Sequence, residues 1–92
     1  FPPAVRMAAV EGTPEAVGDI LAALPDDVEV LGPVELEPDP HDPDLRRERA
    51  LLRVPRNRGR DLAAALRAAQ ATRTARKMAN SVRVQLDPIA IG

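Results

Sequence analysis

Between Arg53 and Arg83 the chain carries nine basic side chains, Arg53, Arg56, Arg58, Arg60, Arg67, Arg73, Arg76, Lys77 and Arg83, against a single acid, Asp61. Cations at this density attract a polyanion or an acidic partner. Arg56, Arg58 and Arg60 alternate through a turn that leads into a helical pattern. The first turn of a helix adds backbone N–H donors and a partial positive charge, so such a corner can hold a phosphate or a carboxylate. A purely structural role fits these three badly, because it places cations at the helix end that favours anions. Arg73, Arg76 and Lys77 fall in the last turns of the same helix. There they complement the helix dipole, and structural and binding roles both remain open for them.

Other chemistries find few candidates. His41 is the one histidine and Ser81 the one serine. His41 sits in a Pro/Asp stretch that offers a general base no rigid shell, and Ser81 has no neighbouring base. Asp39, His41, Asp42 and Asp44 could meet a hard cation only if a turn made them converge, since calcium takes six or more oxygens. The three prolines there predict an extended segment, so the expectation is no metal. Cysteine is absent, which removes thiolate ligands, thiol nucleophiles and disulfides together. The five glycines are scattered and form no phosphate-cradling loop. No cofactor and no enzymatic activity are expected of this chain. Phe1 is the one aromatic residue, so bases have no stacking platform of the kind RNA-recognition sheets provide. Nucleic-acid contacts are expected to go to phosphates, salt-sensitive and blind to sequence.

The net charge of −1 hides a polarised chain. Residues 1–45 hold one base, Arg6, and eleven acids, whereas residues 46–92 hold twelve bases and three acids. No apolar run approaches the length of a membrane span, and no signal peptide opens the chain. These features point to the cytoplasm. A start at Phe1-Pro2-Pro3 points to a piece of a longer protein. Ninety-two residues suit one domain, with a core built from Ala, Val and Leu.

The elements that position the bases follow from periodicity. Val5 to Val10 reads as a strand, with Val5, Met7 and Ala9 on one face and Arg6, Ala8 and Val10 on the other; Gly12 breaks it. Thr13-Pro14-Glu15 starts a helix, with Thr13 as cap and Pro14 at the first helical position. Val17, Ile20, Leu21 and Leu24 form its apolar stripe, and Pro25-Asp26-Asp27 ends it. Val28-Glu29-Val30 and Val34-Glu35-Leu36 alternate around Gly32-Pro33, which predicts an edge strand with a bulge or kink. Residues 37–45 read as a mobile Pro/Asp loop. Arg46 to Val54 is a third strand, with Glu48, Ala50, Leu52 and Val54 on one face and Arg47, Arg49, Leu51 and Arg53 on the other. After the turn from Pro55 to Gly59, a helix runs from about Arg60 to Met78, with Leu62, Ala65, Leu66 and Ala69 as a small-residue stripe. Val82, Val84 and Leu86 close with a strand. The order β-α-β-β-α-β predicts an α+β, ferredoxin-like split βαβ sandwich, a four-stranded antiparallel sheet with two helices on one face.

Several stretches, in order, resemble the C-terminal domain of primosomal protein N′, the PriA family of bacterial replication-restart proteins. They are Phe1-Pro2-Pro3, Val30-Leu31-Gly32-Pro33-Val34, Leu51-Leu52-Arg53-Val54-Pro55 with its basic turn, Ala75-Arg76-Lys77, and Val82-Arg83-Val84-Gln85-Leu86-Asp87-Pro88. The resemblance implies a single C-terminal domain over residues 1–92 of a larger protein that recognises stalled replication forks and helps reload the replicative helicase. It implies a parent with an ATP-driven 3′-to-5′ helicase motor using Mg and a zinc module, neither carried by this chain. It also implies DNA, the single-stranded-DNA-binding protein (SSB) and other primosome proteins as partners, at the bacterial nucleoid. By position after Pro55, the arginine that would meet the acidic tail of SSB falls near Arg58, with a polar partner near Asp61. An acid at that second position departs from the family pattern.

The favoured expectation is therefore a DNA- and partner-binding accessory domain. Two rivals stand beside it. One is a structural module docked on a helicase core. The other is an anion-sensing domain that dimerises through its sheet.

Overall fold

The structure, a computed structural model, describes residues 5–76 and 82–86. Its elements are β1 (Val5–Gly12), α1 (Pro14–Ala22), β2 (Glu29–Glu35), β3 (Glu48–Pro55), a short 3-10 turn (Arg56–Arg58), α2 (Gly59–Ala75) and β4 (Arg83–Leu86). The strands form one antiparallel sheet in the order β2-β3-β1-β4. Together with two helices, this is the expected β-α-β-β-α-β arrangement.

The alternation read from the sequence sorts the two sheet faces correctly. Ala8 and Val10 of β1 and Ala50, Leu52 and Val54 of β3 are buried in one cluster with Ala16, Val17 and Ile20 of α1 and Leu62, Leu66 and Ala69 of α2. Burying each large aliphatic side chain contributes about 1.5–3 kcal/mol. Ile20, Leu52 and Leu66 are the largest fully buried side chains and so carry much of this core. The opposite face holds Val5, Met7, Ala9 and Glu11 of β1 with Arg49, Leu51 and Arg53 of β3, paired in register. No helix covers it among the described residues.

α1 begins as its sequence dictates. The Thr13 side-chain oxygen accepts a hydrogen bond from the Ala16 backbone N–H (3.3 Å), and Pro14 occupies the first turn. Capping of this type contributes about 1 kcal/mol. α2 buries Leu62, Leu66, Ala69 and Arg73, the i, i+4, i+7, i+11 spacing of a single stripe. Ala65, expected in that stripe, is half-buried. α2 comes so close to β1 at its start that a Cβ on Gly59 would sit 2.8 Å from Arg6 Cγ. Among the described residues the helix runs to Ala75; Met78, its expected end, lies outside them.

Boundaries shift elsewhere for local reasons. β1 continues through Glu11 to Gly12, because β3 supplies partners as far as Gly12↔Glu48. β3 begins at Glu48 rather than Arg46, although the Leu36 N–H still donates to the Arg47 carbonyl (2.9 Å) just beyond it. The Pro/Asp stretch does not extend. The His41 N–H donates to Asp39 Oδ1 (2.8 Å), the Asp42 N–H to the Asp39 carbonyl (3.0 Å) and the Leu45 N–H to the Asp42 carbonyl (3.2 Å). An Asx turn at Asp39 satisfies backbone groups that the prolines leave without a ladder.

β2 is an edge strand with the expected irregularity. The Gly32-Pro33 peptide is cis and Gly32 has φ +94°, a region that glycine adopts with little penalty. The register runs Leu31↔Leu51 and then Val34↔Arg49, so two residues on β2, Gly32 and Pro33, stand against one on β3, Ala50. That extra residue is a β-bulge. It shifts side-chain parity, so Leu31 and Val34 lie on the same face of the sheet although they are three positions apart.

Candidate nucleic-acid interface

The basic residues do not form one surface. The turn after β3 and the outer side of α2 present Arg56, Arg60 and Arg67 to solvent, and Arg76 is exposed at the far end of α2 beside the groove toward α1; none of these four makes an ion pair among the described residues. Arg60 and Arg67 lie two turns apart on one side of α2, about 10 Å along its axis at 1.5 Å per residue. Arg56 precedes them, at the helix end where backbone N–H groups reinforce positive potential. Arg76 caps the far end, and Lys77 lies outside the described residues.

Arg58 sits between Arg56 and Arg60, but its guanidinium is held in place. Nε donates to Asp27 Oδ2 (2.7 Å) and Nη1 to Asp61 Oδ2 (2.6 Å). It thereby links the turn before β2 to the first turn of α2. The hydrogen bond from Arg58 and its positive charge hold the Asp27 carboxyl below its ordinary range. The hydrogen bond and charge of Asp27, with a smaller contribution from Asp61, raise Arg58 further. Asp61 also complements the helix N-terminus. Arg58 and Asp61, the two residues expected to meet an acidic tail, are thus brought together, and they bind each other.

Arg73 has a different environment. It is buried at 8% relative exposure and pairs through Nη1 with Asp19 Oδ2 on α1. Its stem fills a position in the apolar stripe of α2, as long cationic side chains do when their head finds a partner. Arg53 and Arg83 lie on the sheet face away from the helices. Arg53 pairs with Glu29 (Nη2–Oε2 2.6 Å, Nε–Oε2 2.8 Å). Arg83 is exposed and stands opposite Glu11 in the ladder.

Arg47 and Arg49 were not among the expected contact residues, yet they belong to this second basic surface. Both approach Glu11, at 3.7 and 3.4 Å. The signal was present in the alternation of Arg47, Arg49 and Arg53 along one strand face. Grouping bases by stretch of sequence hid it, because sheet pairing brings Arg47, Arg49 and Arg83 around one glutamate from separate strands.

Between α1 and α2 lies a groove of about 380 Å³ lined mainly by alanines, with Asp19, Arg73 and Arg76 at its edge. No group of three or more His, Cys, Asp or Glu side chains close enough to hold a metal ion occurs among the described residues. No described helix is long and apolar enough to cross a membrane.

Comparison with known proteins gives the same answer from two directions. The family model for the primosomal protein N C-terminal domain matches residues 1–89. A probable replication restart protein PriA from Mycobacterium leprae is 43% identical over 99 residues, covering all of this chain and 15% of the relative. One from Mycobacterium tuberculosis H37Rv is 40% identical over 106 residues, again covering the whole chain and 16% of the relative. The chain therefore spans about one-sixth of the length of these relatives, and it belongs to the family of primosomal protein N C-terminal domains.

Proposed function

We propose that the chain is a non-catalytic DNA- and partner-binding domain of a PriA-type replication-restart protein, serving recognition of stalled forks and reloading of the replicative helicase in the bacterial cytoplasm, at the nucleoid. It acts as one domain and holds no cofactor of its own; ATP, Mg and zinc belong to the parent. The observation that carries the reading is the set of exposed arginines Arg56, Arg60 and Arg67 at the start and along one side of α2, without ion-pair partners among the described residues. Uncompensated cations at a helix N-terminus work against the dipole, and an incoming phosphate relieves that cost. Contacts go to phosphates and discriminate little between sequences. Of the nine bases expected to contact DNA, Arg53, Arg58 and Arg73 are engaged by carboxylates of this chain and contribute less; Arg83 belongs to the sheet face.

An acidic tail such as that of SSB would meet Arg58 beside Asp61. It would have to share the guanidinium with Asp27 and Asp61, which makes that contact weaker than an open arginine would give. Affinity then depends on several modules of the parent acting together.

Fluorescence anisotropy with a short single strand and a forked duplex tests the reading, at about 50 and 200 mM salt where phosphate contacts lose affinity. Steeply salt-dependent binding to either substrate is expected. No binding at the lower salt would overturn the DNA-contacting role and leave docking on the parent as the function of the domain.

A further inference from the structure

We infer that the face of the sheet left uncovered by the described helices is a docking surface for another part of a replication-restart polypeptide, one presenting apolar side chains flanked by carboxylates. The inference rests on the reading of the chain as one segment of such a polypeptide, and it concerns a surface separate from the α2 arginines.

The face is organised in rows across the strands. Leu31, Leu51, Ala9 and Gln85 form one row, each paired in register with the next. Glu29, Arg53 and Met7 form the row on one side; Val34, Arg49, Glu11 and Arg83 form the row on the other. The bulge at Gly32-Pro33 brings Val34 onto this face beside Leu31. In a regular, unbulged strand of the same residues it would point to the helix side. The result is an apolar strip whose outer end is open to solvent: Val34 is 60% exposed and Leu31 42%. Val34 has the largest exposure among the exposed large hydrophobics.

Charge selects the occupant. Arg53 is neutralised by Glu29. In the Val34 row, Arg49 pairs with Glu11 and Arg47, just before β3, reaches the same carboxylate, which Arg83 faces across the ladder. Three arginines surround one glutamate, so the apolar strip borders a cationic surplus. A second copy docking through the same face would bring a like surplus against it, which is destabilising. A nucleic acid could satisfy the arginines but has no partner for aliphatic Leu31, Leu51 and Val34, and the strip carries no aromatic side chain for bases to stack on. A protein surface with apolar anchors and flanking carboxylates satisfies both features. The relatives supply such polypeptide in quantity, since about five-sixths of their length lies outside the matched segment.

The test is hydroxyl-radical footprinting of a full-length replication-restart polypeptide carrying this segment. Leu45 and Leu86, at 37% and 48% exposure, are internal references away from the strip. Leu31 and Val34 are expected to oxidise about tenfold more slowly than these references, since a docked apolar core excludes solvent. Val34→Asp, a change at an exposed position that spares the core, is expected to restore oxidation at Leu31 and Leu51 and to leave DNA affinity unchanged. Equal oxidation of strip and references would overturn the proposal. So would protection that disappears on dilution, which assigns the face to a second copy, or protection that appears only with added single-stranded DNA. An Arg56, Arg60 and Arg67 alanine variant in the same polypeptide separates the two readings. Its loss of DNA affinity tests the α2 surface without altering the footprint of Leu31.

Discussion

Arg73 of α2 and Asp19 of α1 form an ion pair that ties the two helices together over the core, with the Arg73 side chain 9% exposed and that of Asp19 43% exposed. The two partners therefore differ in what their removal does. Arg73→Ala takes away a buried stem and leaves a void in the α2 stripe, with an expected loss of about 2–3 kcal/mol in chemical denaturation. Arg73→Met keeps most of the packing and is expected to cost less. It is also expected to leave DNA affinity and its salt slope unchanged, since the guanidinium faces Asp19. A flattened salt slope in Arg73→Met would return Arg73 to the DNA interface.

Arg56, Arg60 and Arg67 are expected to act together. Replacing all three by Ala should weaken binding across all sequences and reduce the steepness of the salt dependence by about 0.7 per lost phosphate contact on a single strand. Arg58→Ala is expected to change the slope less than any one of these, because Asp27 and Asp61 already compensate its charge. Anisotropy titrations of the four single variants at several salt concentrations make the comparison, and a larger effect at Arg58 than at Arg60 would contradict it.

The Asp27–Arg58 contact predicts a pH dependence with a definite sign. The hydrogen bond from Arg58 lowers the Asp27 carboxyl from its ordinary 3.8. A carboxylate with a depressed value in the folded state contributes stability that is present above the unfolded value and disappears as pH falls through the folded one. The contribution is therefore intact at neutral pH and fades below about pH 4, the ordinary carboxylate range. Asp27→Asn is expected to lose stability at neutral pH and to converge with the parent chain in acid. Denaturation midpoints at neutral and strongly acidic pH, compared between the two proteins, provide the check.

Gly32 is the position where backbone conformation is most demanding. At φ +94° a Cβ would stand 3.0 Å from the Val34 backbone nitrogen and 3.2 Å from the Arg49 carbonyl oxygen. Gly32→Ala is expected to destabilise by about 1–2 kcal/mol through the strained φ alone. The change should register as lost amide protection in β2 and the adjoining part of β3, with the core around Ile20 and Leu66 retaining its protection. Uniform loss across the whole chain would mean that the bulge holds up more than the edge strand.

Element order, the edge position of the Gly32-Pro33 strand and the facing of β1 and β3 are legible in the residues alone. Period-2 alternation and helix capping are local, and they leave their marks within a few residues of each other. Thr13-Pro14-Glu15 sets the start of α1 through contacts within its own first turn. The stretch from Arg53 to Arg83 was likewise visible as basic. What each base does depends on contacts that exist only in the folded chain. An arginine's role depends on the carboxylate that reaches it, and those lie far away in sequence: Asp27 for Arg58 at a separation of 31 residues, Asp19 for Arg73 at 54. The bulge follows the same logic. Gly32-Pro33 announced an irregular strand, but whether Val34 joined Leu31 or opposed it was fixed by the register against Leu51 and Arg49. Charge pairing and strand register both arise between distant segments, so a count of residues along the chain records the charges and the strands but not which of them meet.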